Sequence, residues 1–258
     1  MKKQLSVLLL SLLCVGCASG VNKAVIQPIE SKAGSGSGIV KKLDVRMEGE
    51  METVEVEIPF QHEDIPASWS FKIDGEEKIT IDNTEDSIAH YDIQVKDLDQ
   101  DQTDEILFYR FPGGSAGAVL LSIYKPEREA WKQLFHSDLA QAYGDTNRFD
   151  IRYIGDYKVS FEDKLVNHKV TIYLDPARYE GNEEFLKGIA TWIDPVMNYE
   201  IKDTNGDGIQ EIMTTQRVIG ISHPDTLAEM LTKFELVDGT FKPVSYQLIQ
   251  ELAFVPLP

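Results

Sequence analysis

Apolar and polar residues alternate with a period of two along most of the chain after residue 42. Val54, Val56 and Ile58, for example, are each separated by one polar residue. This spacing predicts strands that bury one face. Asp-Gly pairs at residues 74–75 and 238–239 separate such runs and predict tight hairpin turns. The sequence therefore predicts a mainly β protein of antiparallel sheets.

Two acidic stretches share one pattern, and each lies between strand-like runs. We call residues 97–106 loop 1 and residues 203–212 loop 2. In both loops, oxygen-bearing side chains occupy the first, third, fifth and ninth positions, and an apolar residue occupies the tenth. The same order of strand-like runs surrounds each loop, which predicts two repeat units at about residues 91–135 and 197–248.

The spacing in both loops suits calcium, a hard cation that takes six to eight oxygen ligands. Alternate side chains in a tight loop can converge on one point, and a backbone carbonyl at the seventh position adds a neutral ligand. The predicted ligands of loop 2 are Asp203, Asn205, Asp207, Glu211 and the carbonyl of Ile209. Those of loop 1 are Asp97, Asp99, Asp101, Glu105 and the carbonyl of Thr103.

The two loops differ at their sixth position. Loop 2 has Gly208 there, whereas loop 1 has Gln102, so loop 1 is expected to be more strained or differently shaped. An acidic, solvated turn without metal is the alternative for both loops. A bound dication would relieve repulsion between the carboxylates and order the strand connection, which favours a stabilising role.

The pattern does not fit an EF-hand, which needs an acid at the twelfth position and flanking helices. The twelfth positions here are Phe108 and Thr214, and strands flank both loops. The pattern resembles the calcium loop of FG-GAP and VCBS-type repeats, found in integrin-like β-propellers. This resemblance covers about 45 residues around each loop. It implies blade-like antiparallel sheets, with a small or degenerate β-propeller and a pair of packed sheets both left open.

The N-terminus resembles a bacterial lipoprotein signal. Lys2 and Lys3 precede an apolar run at residues 5–15 that is too short to span a bilayer. Cys17 follows Gly16 and matches the lipobox cysteine that carries diacylglycerol, although Cys14 stands where leucine is usual. An ordinary signal peptide with an incidental cysteine is the alternative. The predicted organisation is a signal peptide at 1–16, the lipidated cysteine and a flexible tether at 17–41, and a β-rich domain at 42–258.

Net charge and cysteine content limit the classes of partner that the protein can bind and the bonds that can stabilise it. The formal charge is −18, and removing residues 1–16 with their two lysines makes it more negative. Such a surface repels nucleic acid, which excludes nucleic-acid binding, and attracts cations. Both cysteines of the chain lie in the N-terminal segment, so the mature domain is predicted to lack a disulfide. We expect the lipid on Cys17 to anchor the protein on the outer face of the cell membrane or at the outer membrane.

One catalytic alternative is visible. Residues 113–117 satisfy G-x-S-x-G, the nucleophile elbow of α/β-hydrolases, with Ser115 as the nucleophile and His168 or His223 downstream. Pro112 interrupts the approach and a strand-like run follows, whereas the elbow needs a strand-to-helix turn. The sequence therefore favours a lipid-anchored calcium-binding protein with a binding or scaffolding role and no catalytic activity. An extracytoplasmic serine hydrolase is the alternative, and the extracellular, envelope or protein ligand is not identified.

Overall fold

The computed structural model describes residues 39–43, 52–62, 65–83, 88–114, 116–127, 131–137, 148–165 and 167–250. The strands in chain order are β1 Ile39–Leu43, β2 Glu52–Glu57, β3 Phe60–His62, β4 Ile65–Pro66, β5 Ser68–Ile73, β6 Glu76–Asp82, β7 Ile88–Lys96, β8 Glu105–Pro112, β9 Leu120–Pro126, β10 Trp131–His136, β11 Phe149–Gly155, β12 Lys158–Asp163, β13 His168–Tyr173, β14 Asn198–Lys202, β15 Glu211–Ile219, β16 Thr226–Val237 and β17 Thr240–Ile249. Two short 3-10 helices, Pro176–Tyr179 and Glu183–Gly188, follow β13.

The strands form four main antiparallel sheets, which confirms the predicted mainly β fold. Sheet 1 has the order β1-β2-β5-β6, sheet 2 β10-β9-β8-β7, sheet 3 β11-β12-β13 and sheet 4 β14-β15-β16-β17, and β3 and β4 form a small separate ribbon. Sheets 2 and 4 are each built from four consecutive strands, because short connections join antiparallel neighbours. They span residues 88–136 and 198–249, and a repeat relation between them stays a prediction. Closure into a propeller stays a prediction.

The two Asp-Gly pairs adopt the backbone that a two-residue hairpin requires. Between β5 and β6, Asp74 has φ 51° and Gly75 has φ 83°. Between β16 and β17, Asp238 has φ 53° and Gly239 has φ 71°. Positive φ at both central residues matches the right-handed twist of the flanking strands. The local sequence therefore sets the register of both hairpins.

Sheet 2 is covered on both faces. Ile106 and Phe108 of β8 belong to an apolar cluster with Trp69 and Phe71 of sheet 1. Leu107, which lies between them in the chain, belongs to a second cluster that includes Ile212 and Phe241 of sheet 4. Successive side chains of a strand point to opposite faces. Sheet 2 is thus the middle layer between sheets 1 and 4, which explains the continuous apolar run in β8.

Sheet 4 also packs against sheet 3. Phe149 and Phe161 of sheet 3 share a third apolar cluster with Val218 and Met230 of sheet 4. Leu186, from the second 3-10 helix, is fully buried in the same cluster. The long strands β15 and β16 therefore contact sheet 2 near loop 2 and sheet 3 farther along.

Several predicted features lie partly or wholly outside the residues that the structure describes. β1 begins at Ile39, before the predicted start of the β-rich domain at residue 42. The predicted signal peptide, Cys17 and Ser115 lie outside the described residues. Within the described part of the chain, no helix is long and apolar enough to cross a membrane.

Candidate functional site

Loop 2 connects β14 to β15, and Asp203 organises its backbone. The Oδ1 of Asp203 accepts the N–H of Gly206 at 2.6 Å, and its Oδ2 accepts the N–H of Gly208 at 2.9 Å. The hydrogen bond from Gly206, followed by those from Gly208 and Asn205, holds the pKa of Asp203 below its ordinary value despite partial desolvation. Gly206 has φ 81° and Gly208 has φ 93°, a left-handed backbone that glycine adopts without strain. The first position therefore keeps an ionised carboxylate inside a tight turn.

The remaining oxygen positions of loop 2 are linked in sequence. Asn205 Oδ1 accepts the N–H of Asp207 at 2.8 Å, and Asp207 Oδ1 accepts the N–H of Ile209 at 2.8 Å. Glu211 is 3 % exposed, and its Oε2 accepts both the N–H and the hydroxyl of Thr204 at 2.6 Å. The buried carboxylate of Glu211, at the ninth position, thus holds Thr204, at the second position, by two hydrogen bonds.

Loop 1, which connects β7 to β8, repeats the backbone hydrogen bonds that the first, fifth and ninth positions accept in loop 2. Asp97 Oδ1 accepts the N–H of Gln100 at 2.7 Å, and Asp97 Oδ2 accepts the N–H of Gln102 at 3.1 Å. Gln100 and Gln102 have φ 60° and 70°, so both glutamines adopt the left-handed backbone that glycines adopt in loop 2. The prediction that Gln102 makes loop 1 more strained agrees with this geometry, because a side chain in that region costs energy.

The hydrogen bonds accepted at the fifth and ninth positions are also the same in the two loops. Asp101 Oδ1 accepts the N–H of Thr103 at 2.9 Å, as Asp207 does for Ile209. Glu105 Oε2 accepts the N–H of Leu98 at 2.7 Å, as Glu211 does for Thr204. The two loops are therefore two copies of one backbone conformation, although six of their ten side chains differ.

The carboxylates of loop 1 converge more closely than sequence alone could show. One oxygen from each of Asp97, Asp99 and Glu105 lies within 4.8 Å of the others. Glu105 is fully buried, and burial raises its pKa to about 7, although the hydrogen bond from the N–H of Leu98 favours the ionised form. These oxygens form a compact set of hard ligands.

Lys125 of β9 places its ammonium group among these carboxylates. Its Nζ lies 2.5 Å from Asp99 Oδ2, 2.8 Å from Asp101 Oδ2 and 3.3 Å from Glu105 Oε1. Burial alone would lower the pKa of Lys125, but the hydrogen bonds to Asp101 and Asp99 and the charge of Glu105 outweigh burial and raise it. Loop 1 therefore already contains a cation supplied by the chain itself.

The corresponding position beside loop 2 is an acid. Ile106 pairs with Tyr124, and Ile212 pairs with Phe234, so Lys125 and Glu235, which follow these partners, occupy matching positions. Lys233 lies nearby, with its Nζ 2.9 Å from Glu235 Oε1 and 3.4 Å from Glu211 Oε1. Its ammonium is thus shared with Glu235 at the edge of loop 2.

The two loops contact each other. The N–H of Gln210 donates to the carbonyl of Leu98 at 2.7 Å. Lys96 Nζ donates to the carbonyl of Ile201 at 3.2 Å and to Gln210 Oε1 at 2.8 Å, and burial lowers its pKa. A Cβ at Gly208 would lie 2.1 Å from Gln100 Nε2, so this glycine allows the close approach. The sequence did not predict that the two acidic stretches would meet.

The sequence also gave no indication of Lys125 or of a second polar cluster. Lys125 lies near the end of β9, more than twenty residues after Asp101 in the chain, and only the register of β9 on β8 brings it to loop 1. In the second cluster, buried Asp194 places Oδ2 2.5 Å from Arg217 Nη2 and 3.1 Å from His223 Nε2. His168 contacts the hydroxyl of Tyr246 at 3.1 Å. The two histidines considered with Ser115 thus have other polar partners, and Ser115 itself lies beyond the described residues.

The fold and the loops define a class of protein: a β-rich chain of antiparallel sheets, with two oxygen-rich loops where sheets 2 and 4 meet. Residues 147–249, which include sheet 3, sheet 4 and loop 2, match a family model described as the YybI C-terminal domain. The uncharacterized protein YybI of Bacillus subtilis (strain 168) is 24% identical over 147 residues, which cover 53% of this chain and 53% of that protein. The chain therefore spans about half the length of this curated relative. No solved structure matches the chain.

These comparisons correct the resemblance to FG-GAP and VCBS-type repeats. The similarity lies with the YybI C-terminal domain, and no repeat family of that kind matches. The resemblance was wrong because it depended on the spacing of oxygen side chains over ten residues. A tight turn between two antiparallel strands imposes such spacing in any β fold that uses acidic side chains to hold its backbone N–H groups.

Proposed function

We propose that this protein is a lipid-anchored, extracytoplasmic protein that binds calcium and has a binding or scaffolding role without catalysis. The observation that carries the proposal is the hydrogen-bond frame common to loops 1 and 2. In each loop the backbone N–H groups hold the acidic side chains in fixed positions, so the ligands are arranged before a cation arrives. Preorganised oxygens are what a hard dication needs for binding.

Loop 2 is the principal calcium site in this proposal. Asp203, Asn205 and Asp207 lie in an exposed turn, and Glu211 closes it from the buried side. Ile209 lies at the seventh position, where its carbonyl supplies the neutral ligand. All of these ligands are oxygens, which suits calcium better than zinc or copper. Loop 1 offers Asp97, Asp99, Asp101, Glu105 and the carbonyl of Thr103 in the same order.

Calcium would stabilise the contact between sheets 2 and 4. Loop 2 touches loop 1 through Gln210 and Leu98, and Ile212 at its end belongs to the apolar cluster between the two sheets. A dication that orders loop 2 would therefore stabilise the position of sheet 4 on the middle layer. This arrangement supports a structural role for the metal and leaves the ligand of the whole protein unidentified.

Calcium should raise the melting temperature of the full chain purified in a non-ionic detergent. At one hundred times its dissociation constant, calcium should add about 2.7 kcal/mol, or roughly 5–10 °C. Asp203→Ala combined with Asp207→Ala should abolish most of this gain. A matched control, Glu180→Ala with Glu184→Ala, removes two exposed acids elsewhere and should keep it. A melting temperature unchanged by millimolar calcium would contradict the proposal.

The lipid anchor is proposed from the lipobox around Cys17. The wild-type protein should partition into the detergent phase of Triton X-114, and Cys17→Ser should move it to the aqueous phase because the acyl chains are lost. Cys14→Ser is the matched control, since it changes a neighbouring cysteine and should leave the partition unchanged. Equal partition of the wild-type protein and Cys17→Ser would rule out lipidation at this residue.

A further inference from the structure

We propose that Lys125 is the resident cation of loop 1, so that the chain binds one calcium ion, in loop 2, and not two. This inference depends on the proposed calcium site in loop 2. It assigns a role to Lys125, which lies outside both loops. In this proposal, the side chain on the strand next to each loop determines whether that loop binds metal.

The geometry of Lys125 is that of a bound cation. Its Nζ is within 3.3 Å of carboxylate oxygens from three acids of loop 1, namely Asp99, Asp101 and Glu105. An ammonium group has three N–H donors and no acceptor, so carboxylates are its natural partners. The side chain is only 15 % exposed and Glu105 is fully buried, so water screens these charges weakly. Lys125 thus neutralises part of the charge that calcium would otherwise neutralise.

The oxygens around Lys125 also indicate a latent metal site. Glu105 Oε1 and Asp99 Oδ1 are buried without a hydrogen bond, although Glu105 Oε1 keeps an ion pair with Lys125 Nζ at 3.3 Å. One oxygen each from Asp97, Asp99 and Glu105 already lies within 4.8 Å of the others. If the ammonium were absent, these buried carboxylates would lose the positive charge that compensates them, which is costly. A dication in the same place would satisfy them.

Calcium must displace Lys125 to enter loop 1, and the chain opposes this exchange. Lys125 belongs to β9, whose backbone pairs with both β8 and β10, so its ammonium is held at the loop by a fixed strand. Displacement would leave the ammonium of a largely buried lysine without its three carboxylates. An intramolecular cation also acts at a high effective concentration that does not depend on the solution.

Loop 2 has a weaker obstacle, because Lys233 contacts one of its carboxylates and not three. Glu235 stands where Lys125 stands in loop 1, and it adds negative charge near the predicted site. Lys233 contacts Glu211 at 3.4 Å, but its shorter contact is to Glu235, at 2.9 Å. Its pKa is raised first by that hydrogen bond to Glu235 and less by the charge of Glu211. We therefore expect loop 2 to accept calcium without losing three ion pairs.

The test is a count of calcium ions bound per full-length chain by isothermal titration calorimetry in detergent. Wild-type protein should bind one, Asp203→Ala with Asp207→Ala none, and Lys125→Met two. Lys125→Gln, which keeps a polar side chain, should also bind two and serves if the methionine variant does not fold. Lys132→Met, on the neighbouring strand β10, removes the same charge and should bind one.

The reciprocal variant moves the cation to loop 2. Glu235→Lys should weaken calcium binding at least tenfold, because it places a lysine at the position that Lys125 occupies beside loop 1. Two ions on the wild-type protein, or one ion on both Lys125 variants, would overturn the inference and leave the proposed function standing. No ion on the wild-type protein but one on the Lys125 variants would instead reject the calcium site in loop 2 and support the role of Lys125.

Discussion

Loops 1 and 2 have the same backbone but different surroundings. In both loops, the acidic side chains at the first, fifth and ninth positions accept equivalent hydrogen bonds from backbone N–H groups. The second position is buried Leu98 in loop 1 and exposed Thr204 in loop 2. In loop 1, three carboxylates contact the ammonium group of Lys125. Beside loop 2, the matching position is occupied by Glu235. Loop 1 is thus anchored in the core at its second position, whereas loop 2 is exposed there.

This difference teaches that one loop conformation can serve two purposes. The acidic side chains of the first and ninth positions hold backbone N–H groups in both loops, so they are needed for the turn whether or not a metal binds. In our proposal, the neighbouring strand decides between an internal ion pair and a metal site, through Lys125 or Glu235. The acidic motif by itself is therefore enough to predict the backbone conformation of the turn, but it is not enough to predict that a metal binds there.

The largest expected effect concerns the second position of each loop. Leu98 is fully buried in the cluster between sheets 2 and 4, so Leu98→Ala should lower the free energy of unfolding by about 2–5 kcal/mol. Thr204→Ala removes an exposed side chain and one hydrogen bond to Glu211, and should cost about 0.5–1.5 kcal/mol. Urea unfolding with calcium chelated measures both. Equal losses would mean that the two loops contribute alike to the core.

A smaller effect is expected at the residue that precedes each loop. Lys96 donates two hydrogen bonds across to sheet 4, so Lys96→Met should lower the free energy of unfolding by roughly 1.5–3 kcal/mol. Lys202, its counterpart, pairs with Glu200 on the surface, where an exposed ion pair contributes about 0–1 kcal/mol. Lys202→Met is therefore the matched control under the same unfolding conditions. A loss at Lys202 as large as that at Lys96 would contradict the expectation that the hydrogen bonds of Lys96 stabilise the fold more than an exposed ion pair does.

Short-range features of the fold were accessible from the sequence. The alternation around Val54 and Val56 predicted strands because a strand places successive side chains on opposite faces. The Asp-Gly pairs predicted hairpin turns because that dipeptide accepts positive φ at both positions. The ten-residue pattern predicted the loops themselves, since an acid at the first position can reach N–H groups within its own turn.

The candidate site depended on contacts that no local pattern contains. Leu98 lies in an acidic stretch, and nothing nearby in the chain marks it as a core residue. The meeting of Gln210 with Leu98 and the reach of Lys96 to Ile201 join residues more than one hundred positions apart. The register that sets Lys125 beside Glu105 is likewise a property of the assembled sheet. The family resemblance was wrong for the same reason, because the spacing within a turn does not specify what surrounds it.

The sequence by itself determined the elements: antiparallel strands, two glycine-dependent hairpins and two acidic turns. These follow from interactions within a few residues, where backbone geometry and side-chain type are sufficient. The tertiary structure alone decided the order of layers, with sheet 2 covered by sheets 1 and 4, and the placement of one loop against the other. It also decided which loop has a lysine among its carboxylates. Burial and strand register, which assign these partners, exist only once the sheets have packed together.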